Sequence, residues 1–189
     1  DVYDAVQLAM DDQGSIHGFD LQQNDFDTLC DQASGAAAAA TIVANAQHTG
    51  VIGPIFSIST EGAAPVFEAA GLVMISPANT RADLPSLAPN VFNRVISADP
   101  GSEAWIAVVN QLPSAVAWRA RFEATYGRQP FDFALLAYDA ARLLFARIEE
   151  VSQLSAGSLV IDRAALAAAV RNTADWPGES GPISLHANG

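Results

Sequence analysis

A short apolar run enclosed by turn residues constrains the fold more than any other feature of this sequence. Leu72-Val73-Met74-Ile75 lies between Gly71 and Pro77. Four consecutive apolar residues flanked in this way predict a strand buried on both faces, which is typical of a parallel sheet covered by helices. Val51 to Phe56 and Val91 to Ile96 are similar strand candidates. We therefore expect a parallel sheet at the centre of the molecule.

Segments with helical periodicity alternate with these strands. They predict an opening helix that ends before Gly14, a helix from Asp31 to about Ala46, a helix with cap candidates Ser57, Ser59 and Thr60, a helix carrying Trp118, Phe122 and Tyr126, a long helix from Phe133 to about Val151, and a helix capped by Asp162. Trp105 to Val109 and Gly181 to Leu185 are further strand candidates. The alternation predicts an α/β fold, a three-layer sandwich with a mainly parallel sheet, formed as one unit over residues 1–189.

The charge pattern excludes several kinds of partner. The chain has 21 acidic residues and nine basic ones, a formal net charge of −12, and every basic residue is Arg. Residues 1–80 contain ten of the acids and no Arg. Such a surface repels nucleic acid and anionic membranes. The longest uncharged stretch, 32–60, is interrupted by polar residues, Gly and Pro, so we expect no membrane insertion.

Motifs for catalysis, metals and cofactors are missing from the sequence. With no Lys there is no Schiff-base lysine and no phosphate-loop lysine. His17, His48 and His186 lie far apart without metal-ligand spacing, and Ser57 is not in a nucleophile elbow. We therefore expect a non-enzyme without metal or cofactor. An α/β hydrolase would need a base near Ser57, and no His is placed to act as one.

Two strand ends carry small polar residues that could bind a ligand. Gly53 to Thr60 continues a predicted strand into hydroxyl residues at the start of a helix, and Ile75 to Thr80 ends the next strand in Ser, Asn and Thr. Hydroxyls and free N–H groups at a helix start suit a carboxylate. In an open parallel sheet, ligands bind at the carboxyl ends of the strands. Ordinary caps and turns are the alternative interpretation of both segments.

Five stretches, in order, resemble the periplasmic ligand-binding proteins of branched-chain amino-acid (Leu/Ile/Val-type) ABC transporters. They are Tyr3 to Ala9 with Gly18, Asp27 to Asp31, the two loops 53–60 and 72–80, the helices around Phe122–Gly127 and Ala137–Ala140, and Gly181–Ser184 with Asn188-Gly189. The resemblance implies a Rossmann-like lobe of a type I periplasmic binding protein. It also implies a leucine-type amino acid or related carboxylate as ligand, a membrane permease as partner and a periplasmic or other extracytoplasmic location.

The resemblance also implies roles for individual residues. Ser57 would bind the ligand α-carboxylate, and Thr80 would bind both carboxylate and ammonium. The backbone of Ala78 would accept from the ammonium, while Phe56 and Asn79 would line the same edge. Cys30 matches a position that is often disulfide-bonded in these proteins, but the usual partner position is Phe56 here.

Departures from the pattern suggest that this chain forms one lobe only. Members of the family have a strand before the first helix, and a second lobe inserted after the strand matching Val91 to Ile96. Here residues 99–103 lead almost at once to Trp105, so we expect the insertion to be missing near 99–105 and the first strand to be missing before residue 1. The family's acid for the ligand ammonium lies in that second lobe, so we expect weak binding. A ligand-sensing regulatory domain of the same fold is the alternative function.

Overall fold

The chain folds into alternating strands and helices around a parallel sheet. The computed structural model describes residues 1–186. The helices are α1 (Val2–Gln13), α2 (Gln32–Ala44), α3 (Ser57–Ala70), α4 (Ser102–Val109), α5 (Pro113–Tyr126), α6 (Ala134–Val151) and α7 (Arg163–Arg171), with a 3-10 turn at Leu84–Leu87. The strands are β1 (Ser15–Ile16), β2 (Phe19–Asp20), β3 (Val51–Ile52), β4 (Met74–Ser76), β5 (Phe92–Arg94), β6 (Gln153–Ser155), β7 (Ser158–Val160), β8 (Trp176–Gly178) and β9 (Gly181–Ile183).

The central sheet is parallel, as the apolar runs predict. Its order is β3-β4-β5, with Val51 opposite Met74 and Met74 opposite Phe92. Every residue of β4 and β5 is buried, including Asn93 and Arg94. Strands buried on both faces require a helical layer on each side. The three-layer α/β sandwich predicted from the sequence is therefore confirmed.

The helical layers include the long helix α6 and the closely packed pair α2 and α3. α6 is largely buried and packs against α1, β3 and β4. α2 and α3 pack against each other through glycine. A Cβ on Gly35 would lie 2.2 Å from the Ser59 carbonyl oxygen, and one on Gly62 would lie 1.9 Å from that of Gln32. Only a residue without a side chain allows the two backbones to approach this closely.

The Asp139 carboxylate ties the end of the described chain to α6. It is fully buried and accepts hydrogen bonds from the Glu179 amide (2.9 Å), the Ser180 amide (2.8 Å) and the Ser180 hydroxyl (2.6 Å). These donors lie in and beside the turn between the antiparallel strands β8 and β9. Desolvation raises the pKa of Asp139, although the hydrogen bonds oppose that effect.

Several predicted helices and caps are confirmed. α1 ends before Gly14, and α5 and α6 cover the segments with helical spacing. The Asp31 carboxylate accepts from the Ser34 amide at 2.9 Å, and that of Asp162 accepts from the Ala165 amide at 2.8 Å. Both acids are therefore true N-caps.

The strand predicted over Trp105 to Val109 is wrong, because these residues belong to helix α4. Ser102 and Val109 are buried, and Trp105 and Ile106 between them are half-buried. Buried positions three to four residues apart form one face of a helix. The β-branched residues of this segment favoured a strand, but packing of that face decided the conformation.

Two further boundaries differ from the prediction. β3 ends at Ile52 rather than Phe56, because Gly53 adopts a φ of 123°, outside the extended region. β9 covers only Gly181–Ile183 and forms a hairpin with β8 outside the central sheet. The resemblance segment Asn188-Gly189 lies outside the described residues.

Candidate functional site

The loops after β3 and β4 meet at one edge of the sheet. The strands are parallel and in register from Val51 with Met74 to Ile52 with Ile75, so their carboxyl ends coincide. Residues 53–56 connect β3 to α3, and residues 77–80 follow β4. This is the edge at which parallel sheets bind ligands. We refer to residues 53–60 and 76–80 together as the strand-end site.

A buried hydrogen-bond network clamps the two loops together. The Ser76 hydroxyl donates to the Pro54 carbonyl at 2.9 Å, and the Asn79 amide nitrogen Nδ2 donates to the same carbonyl at 3.0 Å. Nδ2 also lies 2.6 Å from the Thr60 hydroxyl oxygen. In return, Ser76 Oγ accepts from the backbone amides of Ala78 (3.3 Å) and Asn79 (3.1 Å). The clamp preorganises the strand-end site before any ligand arrives.

Asn79 contributes to this clamp, with its side chain facing inward. Asn79 is fully buried, and both contacts of its Nδ2 are to the loop after β3 and to α3. The sequence predicted Asn79 at the ligand edge, and the structure places it beneath that edge. Its oxygen Oδ1 has no hydrogen-bond partner within residues 1–186.

The amino end of α3 presents free donors at the site. Phe56 is the N-cap residue and provides no side-chain cap, so the predicted capping by Ser57, Ser59 or Thr60 is wrong. The first intrahelical bond runs from the Thr60 amide to the Phe56 carbonyl at 3.0 Å. The amides of 57–59 thus have no carbonyl within the helix to bond to. Together with the helix dipole they attract an anion.

The Ser57 hydroxyl belongs to the same group of donors. It is half-buried and has no hydrogen-bond partner among the described residues. Beside it, Phe56 and Ile58 are exposed over 52% and 44% of their surfaces. A polar donor group with apolar side chains next to it suits a carboxylate that carries an apolar substituent.

Thr80 lies in the loop after β4, where it contacts Asp99. The Asp99 amide donates to the Thr80 carbonyl at 2.9 Å, and the Asp99 carboxylate accepts from the Ser102 hydroxyl. Hydrogen bonds from Ser102 and Thr80, with the nearby charge of Arg94, lower the pKa of Asp99. Asp99 is exposed. The sequence does not indicate it as a site residue, because an Asp before Pro is typical of a turn.

Arg81 follows Thr80, but its charge is already engaged. One guanidinium nitrogen lies 2.7 Å from a Glu61 carboxylate oxygen, and another lies 2.7 Å from Asp83. The hydrogen bonds that Arg81 donates to Asp83 and Glu61 raise the pKa of Arg81 above its already high value. The Arg81 guanidinium is therefore already paired and is not a free donor at the strand-end site. Within residues 1–186, no three His, Cys, Asp or Glu side chains are grouped so as to hold a metal ion.

Solved structures of high similarity share this architecture. A leucine-binding protein from Thermotoga maritima matches with a TM-score of 0.80 and 16% identity, covering all of this chain and 87% of its own. An ABC transporter substrate-binding protein from Desulfitobacterium hafniense, in complex with Leu, matches with a TM-score of 0.82 and 18% identity. The match covers 100% of this chain and 89% of that protein. A solute-binding protein of R. palustris in complex with benzoate matches with a TM-score of 0.74 and 14% identity. The match covers 99% of this chain and 84% of that protein.

These similarities establish the fold. The chain has the fold of the type I periplasmic binding proteins, as the resemblance in its sequence led us to expect. No protein-family model matches the sequence, and no curated protein matches it either. None of the helices in the described part of the chain is both long and apolar enough to cross a membrane.

Proposed function

We propose that this chain is a ligand-binding lobe of an extracytoplasmic solute-binding protein that serves an ABC transporter. Its ligand would be a small amino acid of the branched-chain type or a related carboxylate. The observation that carries the proposal is the clamped strand-end site, in which the free donors of α3 face the edge of a type I binding-protein fold.

The donors and acceptors of the site divide between the two ends of an amino acid. The Ser57 hydroxyl and the first amides of α3 would donate to the carboxylate. The Thr80 oxygen and the Ala78 carbonyl would accept from the ammonium. Asp99, bonded to Thr80, adds negative charge on the ammonium side. Phe56 would contact the apolar part of the ligand, and Asn79 would position the loop that carries Ala78 and Thr80.

The proposal includes a second lobe that this chain does not supply. A type I receptor encloses its ligand by closing two lobes about a hinge. We place the junction at residues 99–105, where a turn leads directly into α4 and where Trp105 is half-buried. A permease in the membrane would then be the partner of the closed, ligand-bound form.

Binding by this chain alone should be weak. Loss of two charge-assisted hydrogen bonds, at about 1.5–3 kcal/mol each, removes roughly 3–6 kcal/mol. This lowers affinity by about 10² to 10⁴, so a receptor of ~1 μM affinity would be reduced to roughly 0.1–10 mM. Micromolar binding of leucine by residues 1–189 would contradict the single-lobe interpretation.

An NMR titration of the ¹⁵N-labelled chain tests the proposal. Leucine and benzoate should shift the amide signals of 57–59 in a saturable manner, because their carboxylates would accept from these groups. Leucinamide and benzamide, which lack the carboxylate, are the matched controls and should not. Ser57→Ala should weaken binding about tenfold, equivalent to ~1.4 kcal/mol, whereas Ser97→Ala at an exposed site should not. Equal shifts with the amides, or shifts only elsewhere, would refute the assignment.

A further inference from the structure

A cavity of about 410 Å³ lies against the outer edge of β5. Residues 94–98, in and after β5, form one wall of this cavity, and Ser180 with residues 182–186 forms the other, with Trp105 of α4 beside them. We refer to this cavity as the β5 pocket. It shares no lining residue with the strand-end site, so it is a second concave site in the same chain.

The charged group that faces the β5 pocket is the guanidinium of Arg94, a residue that is only 8% exposed. Its Nη1 donates to the Arg81 carbonyl at 2.7 Å. Its Nε and Nη2 have no hydrogen-bond partner within residues 1–186, and solvent reaches both of them. These two nitrogens form one edge of the guanidinium, and such an edge can donate two parallel hydrogen bonds to a carboxylate.

No acid neutralises this cation at close range. Arg94 forms no ion pair within residues 1–186, and no Asp or Glu is among the described residues that line the pocket. Burial lowers the pKa of Arg94, and the charge of the exposed Asp99 opposes that effect from a greater distance. A largely buried charge without a bonded partner destabilises a protein, so an anion in the β5 pocket would offset that cost.

The backbone of β5 adds a donor at the same edge. The Met74 amide donates to the Val91 carbonyl at 3.0 Å, and the Val95 amide donates to the Ser76 carbonyl at 3.1 Å. Backbone groups along a parallel strand alternate between its two sides, so the Arg94 N–H points away from β4. β5 is the last strand of the central sheet, and this N–H has no hydrogen-bond partner within residues 1–186. Unpaired N–H groups at a sheet edge attract anions.

The rest of the lining determines what kind of anion fits. Most of the other lining side chains are apolar, namely Val95, Ile96, Trp105, Pro182, Ile183 and Leu185. Pockets for small organic molecules have volumes from about 300 Å³ upward and combine apolar walls with a few polar groups. The volume and the lining therefore suit an anion with an apolar substituent better than an inorganic ion such as phosphate.

We propose that the β5 pocket binds a small organic carboxylate with an apolar body. The Nε–Nη2 edge of Arg94 would donate to the two carboxylate oxygens, and the backbone N–H of the same residue would add a third donor. The apolar side chains of the lining would contact the body of the molecule. The proposal does not depend on the proposed function, since none of its contacts involves the strand-end site.

An NMR titration of the ¹⁵N-labelled chain with benzoate tests this proposal. Benzoate should shift the Arg94 Nε–H, the Arg94 amide and the Trp105 indole signals in a saturable manner. Benzamide, which has no negative charge, should not, and inorganic phosphate should bind at least about tenfold more weakly because it has no apolar body. Saturation at these signals is fitted separately from that at 57–59, so failure at one site leaves the other tested. No shift at Arg94 with benzoate, or equal affinity for benzamide or phosphate, would overturn the proposal.

A pair of variants at Ala98 tests the pocket without altering Arg94. Ala98 is half-buried and lines the pocket. Ala98→Glu introduces a carboxylate that competes for the Arg94 guanidinium, while Ala98→Gln fills the same space without the charge. Benzoate affinity at the Arg94 signals should be at least about tenfold lower in Ala98→Glu than in Ala98→Gln. Equal affinity in the two variants would contradict the assignment of Arg94 as the anion-binding group.

A third variant separates the paired hydrogen bonds from charge alone. Arg94→Lys keeps the positive charge but removes the planar edge that matches a carboxylate. Benzoate affinity should fall roughly tenfold, because one of the charge-assisted hydrogen bonds is lost. Circular dichroism would confirm that the variant is folded. Unchanged affinity in folded Arg94→Lys would contradict the assignment of the Nε–Nη2 edge.

Discussion

At the scale of single residues, a few buried polar side chains determine the form of the strand-end site. Ser76 has no direct role in our assignment of ligand contacts, yet it bonds Pro54 in one loop and the amides of Ala78 and Asn79 in the other. Loops that meet a ligand are usually mobile unless such bonds hold them. The Ser76 hydroxyl therefore connects the loop that leads to Ser57 with the loop that carries Thr80.

Removal of this hydroxyl should destabilise the protein. In Ser76→Ala, the amides of half-buried Ala78 and buried Asn79 lose their acceptor, and we expect the free energy of unfolding to fall by about 1–3 kcal/mol. Urea denaturation would measure the change. Ser97→Ala is a fair control, because Ser97 is exposed and its hydroxyl makes only a 3.4 Å contact with the next carbonyl. Equal stability of the two variants would show that the clamp contributes little.

At the scale of elements, one ionic cluster connects three helices on the side of the sheet that α6 covers. Asp12 of α1 accepts two 2.6 Å hydrogen bonds from Arg121 of α5 and one of 2.6 Å from Tyr138 of α6. Desolvation, followed by the bond to Asp12, raises the pKa of Tyr138 to about 12. For Asp12, desolvation raises the pKa, but the hydrogen bonds and charge of its partners outweigh it and leave a lowered pKa.

The lowered pKa of Asp12 predicts how this cluster responds to acid. A depressed folded-state pKa contributes stability above the unfolded value of 3.8, and that contribution is lost as the pH falls through the folded pKa. Asp12→Asn should therefore be less stable than the wild type at pH 7 by up to about 1 kcal/mol, because solvent screens this partly exposed ion pair, and the difference should narrow below pH ~4. Denaturant titrations at several pH values measure it.

The neighbouring residue Asp11 provides the control for this experiment. Within residues 1–186 its carboxylate accepts a hydrogen bond only from the side chain of Gln7, at 2.8 Å on the exposed face of α1. Asp11→Asn should change stability little at any pH. A gap between Asp12→Asn and the wild type that stays constant with pH would mean that packing, rather than charge, explains the loss.

Elements were predictable from the sequence where burial and periodicity agreed. The run 72–75 and the spacing in α5 and α6 identified their elements, and Asp31 and Asp162 were found as caps. α4 was predicted as a strand because its β-branched residues favour that structure. Its helical face includes Ser102, a polar residue whose burial together with Val109 is known only from the fold. The location of the strand-end site at one sheet edge was predictable, because its polar residues follow the ends of two strands that the sequence predicts as neighbours in a parallel sheet. The hydrogen-bond clamp and the contact of Asp99 with Thr80 were not predictable from the sequence, because both depend on contacts between separate loops.

At the scale of the whole molecule, charge is the dominant surface property. A net charge of −12 over 189 residues gives self-repulsion that favours expansion of the chain. Most ion pairs, such as Arg81 with Asp83, are at least partly exposed and contribute little each. Screening by added salt should weaken the general repulsion more than it weakens these ion pairs.

Salt should therefore stabilise this protein. Raising NaCl from about 10 mM to 150 mM shortens the Debye length from roughly 30 Å to 8 Å, and the thermal midpoint should rise. Differential scanning calorimetry over this range measures it, with an uncharged osmolyte at matched osmolarity as control. A lower midpoint in salt would show that the Arg ion pairs outweigh the general repulsion.

The attachment of the β8–β9 turn to Asp139 has a consequence for biosynthesis. The ribosome completes α6 well before residues 179 and 180, which supply all three donors to this buried carboxylate. Until they emerge, α6 would have to bury a charge without partners or keep Asp139 hydrated or protonated. Final packing of this long helix therefore waits for the last part of the chain. A product cut short before residue 179 would remain loosely folded and open to proteases.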